Sequence, residues 1–503
     1  MTDTPRPDLQ RLNEALEEIS DEKRPKAVAQ QQRRGRWTTR AAIEALVDTG
    51  SFVEYGALVR PAVRGMEGAA DGVVMGTAQV GGQPVDLMFY DYTVYAGTQS
   101  AMNHMKAARM FEHAEKHRLP VICWLDGGGA RPHDMVVEAR GATPTFVVFA
   151  RLSGLVPTIG ILPGRAFAGQ ANLAGLCDAL IAIEGSSMGM AGPPLVEAAL
   201  GLKLSPEEIG PSSVHVESGV IDILVADEAE AIAAAKKYLA YFCGPHVAGA
   251  APDGRTLRNL VPENPRRAYD VRKVIAGLAD TGSVLELKPS YGKAVVTSLM
   301  RLEGRPLGVI ANQPMYLAGA INSPASVKAA RFIQICDAFD IPLLLLCDTP
   351  GLMVGPDVEK TGLVRHSARV LTALANATVP MMTVVLRKAY GLGYYIMGSQ
   401  PLNPSVLLAW PTAEYGGMGL EGAVNIIYRA ELEAIDDPAV RAAQHRELTD
   451  ELKRQNTAIE SAARFRYDAV IDPAETRAML LRTLATCPPP VPRVGRKRLI
   501  EPF

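Results

Sequence analysis

The chain has 503 residues, of which 48% are hydrophobic and 21% charged, a balance that excludes an intrinsically disordered protein. At about 150 residues per domain, this length gives roughly two to four domains. Lys+Arg 52 against Asp+Glu 54 leaves a net charge of -2, so no global positive field awaits a polyanion, and nucleic acid is not an expected partner.

No apolar run approaches the ~18 residues of a membrane span, and Met1 to Asp8 lacks the apolar core of a secretory signal, so a cytoplasmic protein is expected. In chain order, residues 8-36 read as one charged helix that ends in Arg33, Arg34 and Arg36. GGQPV at 81-85 reads as a hairpin turn. Met105, Ala108, Met110, Phe111 and Ala114 give 100-118 a helical stripe, and Val121 to Leu125 form the apolar run of a buried strand over 120-125. A second strand, IGILP, follows, then an alanine-rich helix over 227-242. The Pro/Gly-rich stretch 245-265 reads as a join, 428-465 as a second charged helical stretch, and the basic tail PPPVPRVGRKRLIEPF as a solvated or subunit-contacting end.

The chain also repeats itself. Residues 107-130, AARMFEHAEKHRLPVICWLDGGGA, lie over 329-352, AARFIQICDAFDIPLLLLCDTPGL, at a shift of 222 without a gap. The same shift carries GGQPV onto EGRPL, and at 223 Val156-Pro157 meets Val379-Pro380 and Ala166-Phe167 meets Ala389-Tyr390. Strands alternating with helices in each copy predict a tandem pair of α/β domains with parallel pairing.

The glycines concentrate where strands end. Asp126-Gly127-Gly128-Gly129-Ala130 and Gly164 to Gln170 in the first copy correspond to Asp348-Thr349-Pro350-Gly351 and Ala389-Tyr390-Gly391-Leu392-Gly393 in the second. A Gly-rich turn opening a helix presents backbone N-H groups to a developing negative charge, so two such turns imply two candidate oxyanion holes. Side-chain catalysts are scarce. His113 and His117 in HAEKH lack the zinc-protease order and read as a solvated helix face, and no metal site is expected. Glu359 and His366 are spaced to share a helix face as a structural pair. Asp126 and Asp348 read as caps of the turns that follow them. Six cysteines without a CxxC pair read as buried thiols. Neither of the two glycine stretches of the first copy fits the dinucleotide signature G-x-G-x-x-G or the phosphate loop, so nucleotide binding is not expected there.

The strings RRGRWTTRAAIEALVDTGSFVE, ADGVVMGTAQVGG, DYTVYAG and LDGGGAR, then ANQP, INSPASVKAARFIQICDAFDIPLLLLCDTPG, VRHSARVLTALANATVP, LRKAYGLGY and WPTAEYGGMGLEGAV, resemble the carboxyltransferase subunit of biotin-dependent acyl-CoA carboxylases. Propionyl-CoA carboxylase β subunits look closest, and the resemblance covers about residues 10 to 490. It implies two crotonase-fold domains, each a spiral of ββα units: a charged N-terminal helix over 1-36, an acyl-CoA-side domain over 37-254, a biotin-side domain over 255-490 and a tail over 491-503. It further implies an active site shared between the first domain of one subunit and the second of its dimer partner, in a hexamer. Carboxylate would pass from carboxybiotin to the α-carbon of an acyl-CoA, and the ureido anion could itself take the α-proton.

Carried over by position, the thioester hole falls on the amides of Ala168 and Gly169, and the biotin hole on Leu392 and Gly393. Gly128, Gly129, Ala130, Arg131, Gly391 and Tyr395 would line the substrates. Three positions depart from the family: Ala168 where Gly is usual, Leu392 where Gly is usual, so that its side chain must point away, and Tyr395 where short-chain enzymes carry Asp. Tyr395 either walls an acyl pocket or packs beside Tyr394. The chain has no A-M-K-M-like biotinylation motif and no ATP-grasp loop, so biotin is expected on a separate biotin carboxylase or biotin carrier subunit. A decarboxylase or transcarboxylase subunit, and a non-catalytic paralogue, remain alternatives.

Overall fold

A computed structural model of the chain describes residues 6-132, 134, 144-491 and 495-502. Contacts divide the chain into one unit of residues 1-244 with 495-502 and another of residues 245-494. The division falls at the start of the Pro/Gly-rich stretch, ten residues before the boundary expected at 254.

The first unit is built on a seven-stranded sheet in the order Val53–Tyr55, Val73–Val80, Gln83–Tyr90, Val121–Trp124, Thr158–Leu162, Ala179–Ile183 and Ile223–Val225. The first three strands pair antiparallel and the rest parallel. The antiparallel hairpin turns at Gly81 and Gly82, whose φ values of 58° and 76° suit the primed turn that a two-residue connection requires. Arg165–Phe167 and Ser187–Gly189 form a separate two-stranded sheet.

The second unit repeats this plan in the order Leu285–Leu287, Val295–Leu302, Arg305–Asn312, Leu343–Thr349, Met381–Tyr390, Val406–Ala409 and Ala469–Val470. Here Met381–Tyr390 is continuous where the first unit breaks at Pro163 and Gly164, and its end pairs with Glu414–Gly416. The central parallel strands are buried along most of their length, as strands of a parallel α/β sheet are. Each unit has its own core, around Phe111, Cys123 and Leu162 in the first and Val309, Leu346 and Trp410 in the second.

Several expectations are corrected. Residues 8-36 form two helices, Pro7–Glu18 and Pro25–Arg33, because the second starts afresh at Pro25, a residue that suits a first turn. The stretch 428-465 is three helices, Arg429–Glu433, Pro438–Gln455 and Ala458–Ala463, the last two opened by the side-chain caps Asp437 and Thr457. Residues 495-502 of the tail pack on the first unit: the Ser153 hydroxyl donates to Ile500 O at 2.9 Å, and Ile500 is buried. Cys243 and Cys487 are only partly buried, while the other four cysteines are buried, and all six thiols are free. Residues 1-5, 492-494 and 503 lie outside the described residues.

Candidate functional site

The buried strand Val121–Trp124 delivers Asp126 to the start of the glycine turn. Its carboxylate does not cap that turn: it accepts from Arg165 N at 3.1 Å and from the Arg36 guanidinium at 2.9 Å, and Arg36 reaches on to Glu228 at 2.7 Å. Burial pushes the Asp126 carboxyl up and Arg36 pulls it back. Asp348 does the same in the second unit, accepting from Lys388 N at 3.2 Å and Arg387 at 3.0 Å. Each aspartate therefore ties its glycine turn to the neighbouring turn, where the second set of amides begins.

Backbone bonds hold the first turn on two sides. Gly127 N donates to Arg165 O at 2.5 Å and Phe167 N to Gly127 O at 3.1 Å, while Gly128 N donates to Ala96 O, Gln99 N to Gly129 O and Arg131 N to Gln99 O. The second unit repeats the last pair, with Ile321 N donating to Gly351 O at 3.1 Å and Met353 N to Ile321 O at 2.9 Å. Gly97 is required beneath the turn, because a Cβ there would strike the Asp126 carbonyl.

The helix Gly169–Leu176 starts beside this turn. A Cβ on Gly129 would lie 3.1 Å from the Ala168 Cβ, so the two predicted groups meet. Ala168 has φ 54° and ψ -118°, a backbone region that disfavours any side chain, and its N-H donates to Gly189 O at 2.9 Å. This corrects the reading of Ala168 as an oxyanion donor, since its amide is already committed. Among the described residues no carbonyl takes the N-H of Gly169 or of Gly129. Gly169 is flanked by the Gln99 amide and the Phe146 ring, which leave no room for a Cβ.

Arg131 is also corrected. It is buried, its guanidinium lies 2.6 Å from Asp71 and 3.7 Å from Asp134, and it stacks over Tyr95 at 4.8 Å. A charge so fully paired holds the turn rather than a substrate. Gly128 and Ala130 are exposed on the same turn.

In the second unit, Gly391 takes φ 57° and opens the short helix Gly391–Tyr395, whose first amides have no intrahelical acceptor. No carbonyl among the described residues takes the N-H of Leu392 or Gly393. A Cβ on Gly393 would lie 2.6 Å from the Gly351 Cα, so here too the two turns touch through glycine. A cavity of about 340 Å³ opens at this point, lined by Gly391, Leu392, Tyr395, Tyr415 and Arg466 among others. Leu392 is 53% exposed and lines this cavity, contrary to the expectation that its side chain points away. Tyr395, 38% exposed, and the buried Tyr394 both line the same cavity.

Two other readings change. His113 is not on a solvated face: its Nδ1 lies 2.9 Å from the buried Asp86, whose carboxyl burial pushes up to about 6 while His113 draws it back. Glu359 and His366 fall on separate helices, Pro356–Glu359 and Leu363–Ala375, divided at Gly362 with φ 73°. Among the described residues no group of three or more metal-ligating side chains is present, and no helix is long and apolar enough to cross a membrane.

Sequence reasoning missed Lys106 and Lys328, both buried and bonded through Nζ to main-chain carbonyls. The signal was present as KAAR at 106-109 and again at 328-331, in register with the repeat.

The carboxyl transferase domain model matches residues 30-487. The chain is 36% identical over 491 residues to the biotin-dependent long chain acyl-coenzyme A carboxylase beta4 subunit of Mycobacterium tuberculosis, covering 95% of this chain and 93% of that one. It superposes on the crystal structure of transcarboxylase 12S, described as a hexamer with methylmalonyl-coenzyme A and methylmalonic acid bound, with a TM-score of 0.88, 33% identity and 99% coverage of both chains. A single-chain, multi-domain long-chain acyl-CoA carboxylase matches with a TM-score of 0.89 and 43% identity, the chain spanning 49% of that larger protein. The duplicated α/β units are thus crotonase-like domains, and the chain is a transferase that belongs to the carboxyl transferase family, the carboxyltransferase subunits of biotin-dependent acyl-CoA carboxylases.

Proposed function

We propose that the chain moves a carboxyl group from biotin, held on a separate carrier subunit, to the α-carbon of an acyl-CoA, with backbone amides as its catalytic groups. The observation that carries this reading is the pair of unspent amide sets, Gly169 with Gly129 in the first unit and Leu392 with Gly393 in the second, each beside a touching pair of turns. Charge develops on the thioester oxygen when the α-proton leaves, and preorganised N-H groups stabilise it without reorganisation. Gly169 and Gly129 are assigned to that oxygen, and Leu392 and Gly393 to the ureido oxygen of biotin. Bound biotin supplies the carboxyl group and the base.

Self-association into a hexamer, as in the 12S structure, is part of the reading, as is a cytoplasmic location. Gly128 and Ala130 are assigned to the acyl-CoA, and Gly391 to the shape of the biotin turn. Tyr395 is assigned to acyl selection from the cavity wall. Residues 37-254 would form the acyl-CoA side, residues 255-490 the biotin side.

The test is transfer of labelled carboxyl from the carboxylated carrier to acetyl-, propionyl-, butyryl- and longer acyl-CoAs by wild type and Tyr395→Asp. Acyl-CoA-dependent loss of label from the carrier supports the reading, and its absence with every acyl-CoA overturns it. An unchanged order of acyl preference in Tyr395→Asp removes the assignment of Tyr395 alone. Net transfer between two acyl-CoAs through the carrier would instead favour a transcarboxylase, which the similarity to 12S also supports.

A further inference from the structure

The cavity beside Leu392 contains one cation. Arg466 lies with its guanidinium carbon 5.2 Å from the centre of the Tyr415 ring, and Tyr415 meets Tyr394 edge-on at 5.8 Å. Arg387, Arg272 and Arg477 of the same unit are each paired with a carboxylate, Asp348 at 3.0 Å, Glu286 at 2.7 Å and Asp280 at 2.5 Å. Among the described residues no carboxylate lies within ion-pair distance of Arg466. Stacking on a ring holds a guanidinium in place through its face and leaves its N-H edges available to a bidentate acceptor.

The remaining wall is aromatic and apolar, from Tyr394, Tyr395, Leu392 and Pro401, with Ser399 and Gln400 turned to main-chain carbonyls: the Ser399 hydroxyl donates to Tyr395 O at 3.2 Å and Gln400 Nε2 to Phe465 O at 3.2 Å. An apolar pocket with one convergent charged group recognises a ligand with a hydrocarbon body and a single complementary polar end. We propose that Arg466 is a specificity residue that receives a carboxylate or carbonyl acceptor on the ligand entering this cavity, so that acyl groups bearing an acceptor at their far end are preferred over plain alkyl chains. The inference rests on the carboxyltransferase reading of the cavity, and the same acceptor chemistry could also be offered by the biotin group.

The experiment uses the full-length chain with two CoA thioesters of equal acyl length, hexanoyl-CoA and adipoyl-CoA, in two measurements: direct binding by calorimetry, and carboxyl transfer from the carboxylated carrier. Wild type is expected to favour adipoyl-CoA by about tenfold in both Kd and kcat/KM, as a charge-assisted bond in a partly exposed site would give. Arg466→Met should erase that preference, bringing the adipoyl-to-hexanoyl ratio of both Kd and kcat/KM to about one, and Arg466→Lys should keep part of it. If Arg466→Met instead raises the KM for the carrier equally with both acyl-CoAs, the acceptor belongs to biotin. Identical binding of both thioesters by wild type and Arg466→Met, together with an unaltered carrier KM, overturns the proposal. Because binding is read without turnover, an absence of transfer in wild type counts against the carboxyltransferase reading and is told apart from a failure of Arg466.

Discussion

Lys106 and Lys328, separated by the repeat shift of 222 residues, do the same work in the two units: each sends a buried ammonium from the first long helix back to the main chain of the sheet. Lys106 Nζ donates to Ala70 O at 2.8 Å and to Val73 O, and Lys328 Nζ to Lys288 O, Tyr291 O and Val295 O at 2.8, 3.0 and 2.8 Å. Val73 and Val295 are themselves one repeat apart. Burial pushes Lys106 down to about 8 and Lys328 down to about 7, which measures how far both sit from water. Replacing either by Met leaves carbonyls without a donor. Lys328→Met is expected to cost about 3 kcal/mol in unfolding free energy, and Lys106→Met, with two carbonyls, less, as read from urea denaturation.

Ala168 holds a conformation that glycine adopts freely. Ala168→Gly is therefore expected to be neutral to stabilising, by up to about 1 kcal/mol, with transfer retained because the amide does not depend on the side chain. Gly129→Ala should do the opposite. It places a methyl 3.1 Å from the Ala168 Cβ at a φ of 91°, and both thermal stability and kcat should fall.

Gly393 allows the biotin-side turn to rest on Gly351, with 2.6 Å between a built Cβ and the Gly351 Cα. Gly393→Ala must part the two turns and shift the amides of Leu392 and Gly393. Loss of oxyanion donors costs about a hundredfold or more in turnover. The expected result is a kcat lowered by that order with little change in the KM for acyl-CoA, whose carbonyl is assigned to the other unit; a selective rise in acyl-CoA KM would reverse the assignment.

Arg131 and Asp71 form a buried pair at 2.6 Å, so breaking it leaves a charge stranded. Arg131→Met is expected to destabilise by about 3 to 5 kcal/mol. Arg131→Met with Asp71→Asn should recover part of that loss, and thermal melting of the single and double variants gives the coupling. An Arg131→Met protein with normal stability and a raised acyl-CoA KM would restore the substrate role.

Asp86 supplies a pH dependence. Its folded pKa of about 6 lies above the unfolded carboxyl value of about 3.9. Between those values the folded state binds more protons than the unfolded one, so stability is greatest at the acid end and declines as pH rises through about 4 to 6. The contribution is about 3 kcal/mol. Asp86→Asn should flatten the profile of unfolding free energy between pH 4.5 and 6.5, with His113→Gln as the control for the partner.

Much of the architecture was legible along the chain. The period of 222, the apolar strands at 121 and 343 and the glycine turns at 127 and 391 all depend on local pattern, and a duplicated pattern reports a duplicated fold whatever its contacts. Pro25, Asp437 and Thr457 show where local reading stopped, since a charged stretch with helical spacing does not reveal how often it restarts.

Composition and periodicity determined two similar α/β units with backbone-rich turns at their strand ends. Only the tertiary structure decided which groups in those turns remain available. Ala168 N-H is taken by Gly189 O and the Arg131 guanidinium by Asp71, whereas among the described residues no carbonyl takes the Gly169 or Gly393 N-H and no carboxylate pairs with Arg466 over Tyr415. A hydrogen bond or ion pair between residues tens of positions apart leaves no trace in spacing. The near-neutral charge that opened the sequence reading says nothing of where a single guanidinium goes unpaired.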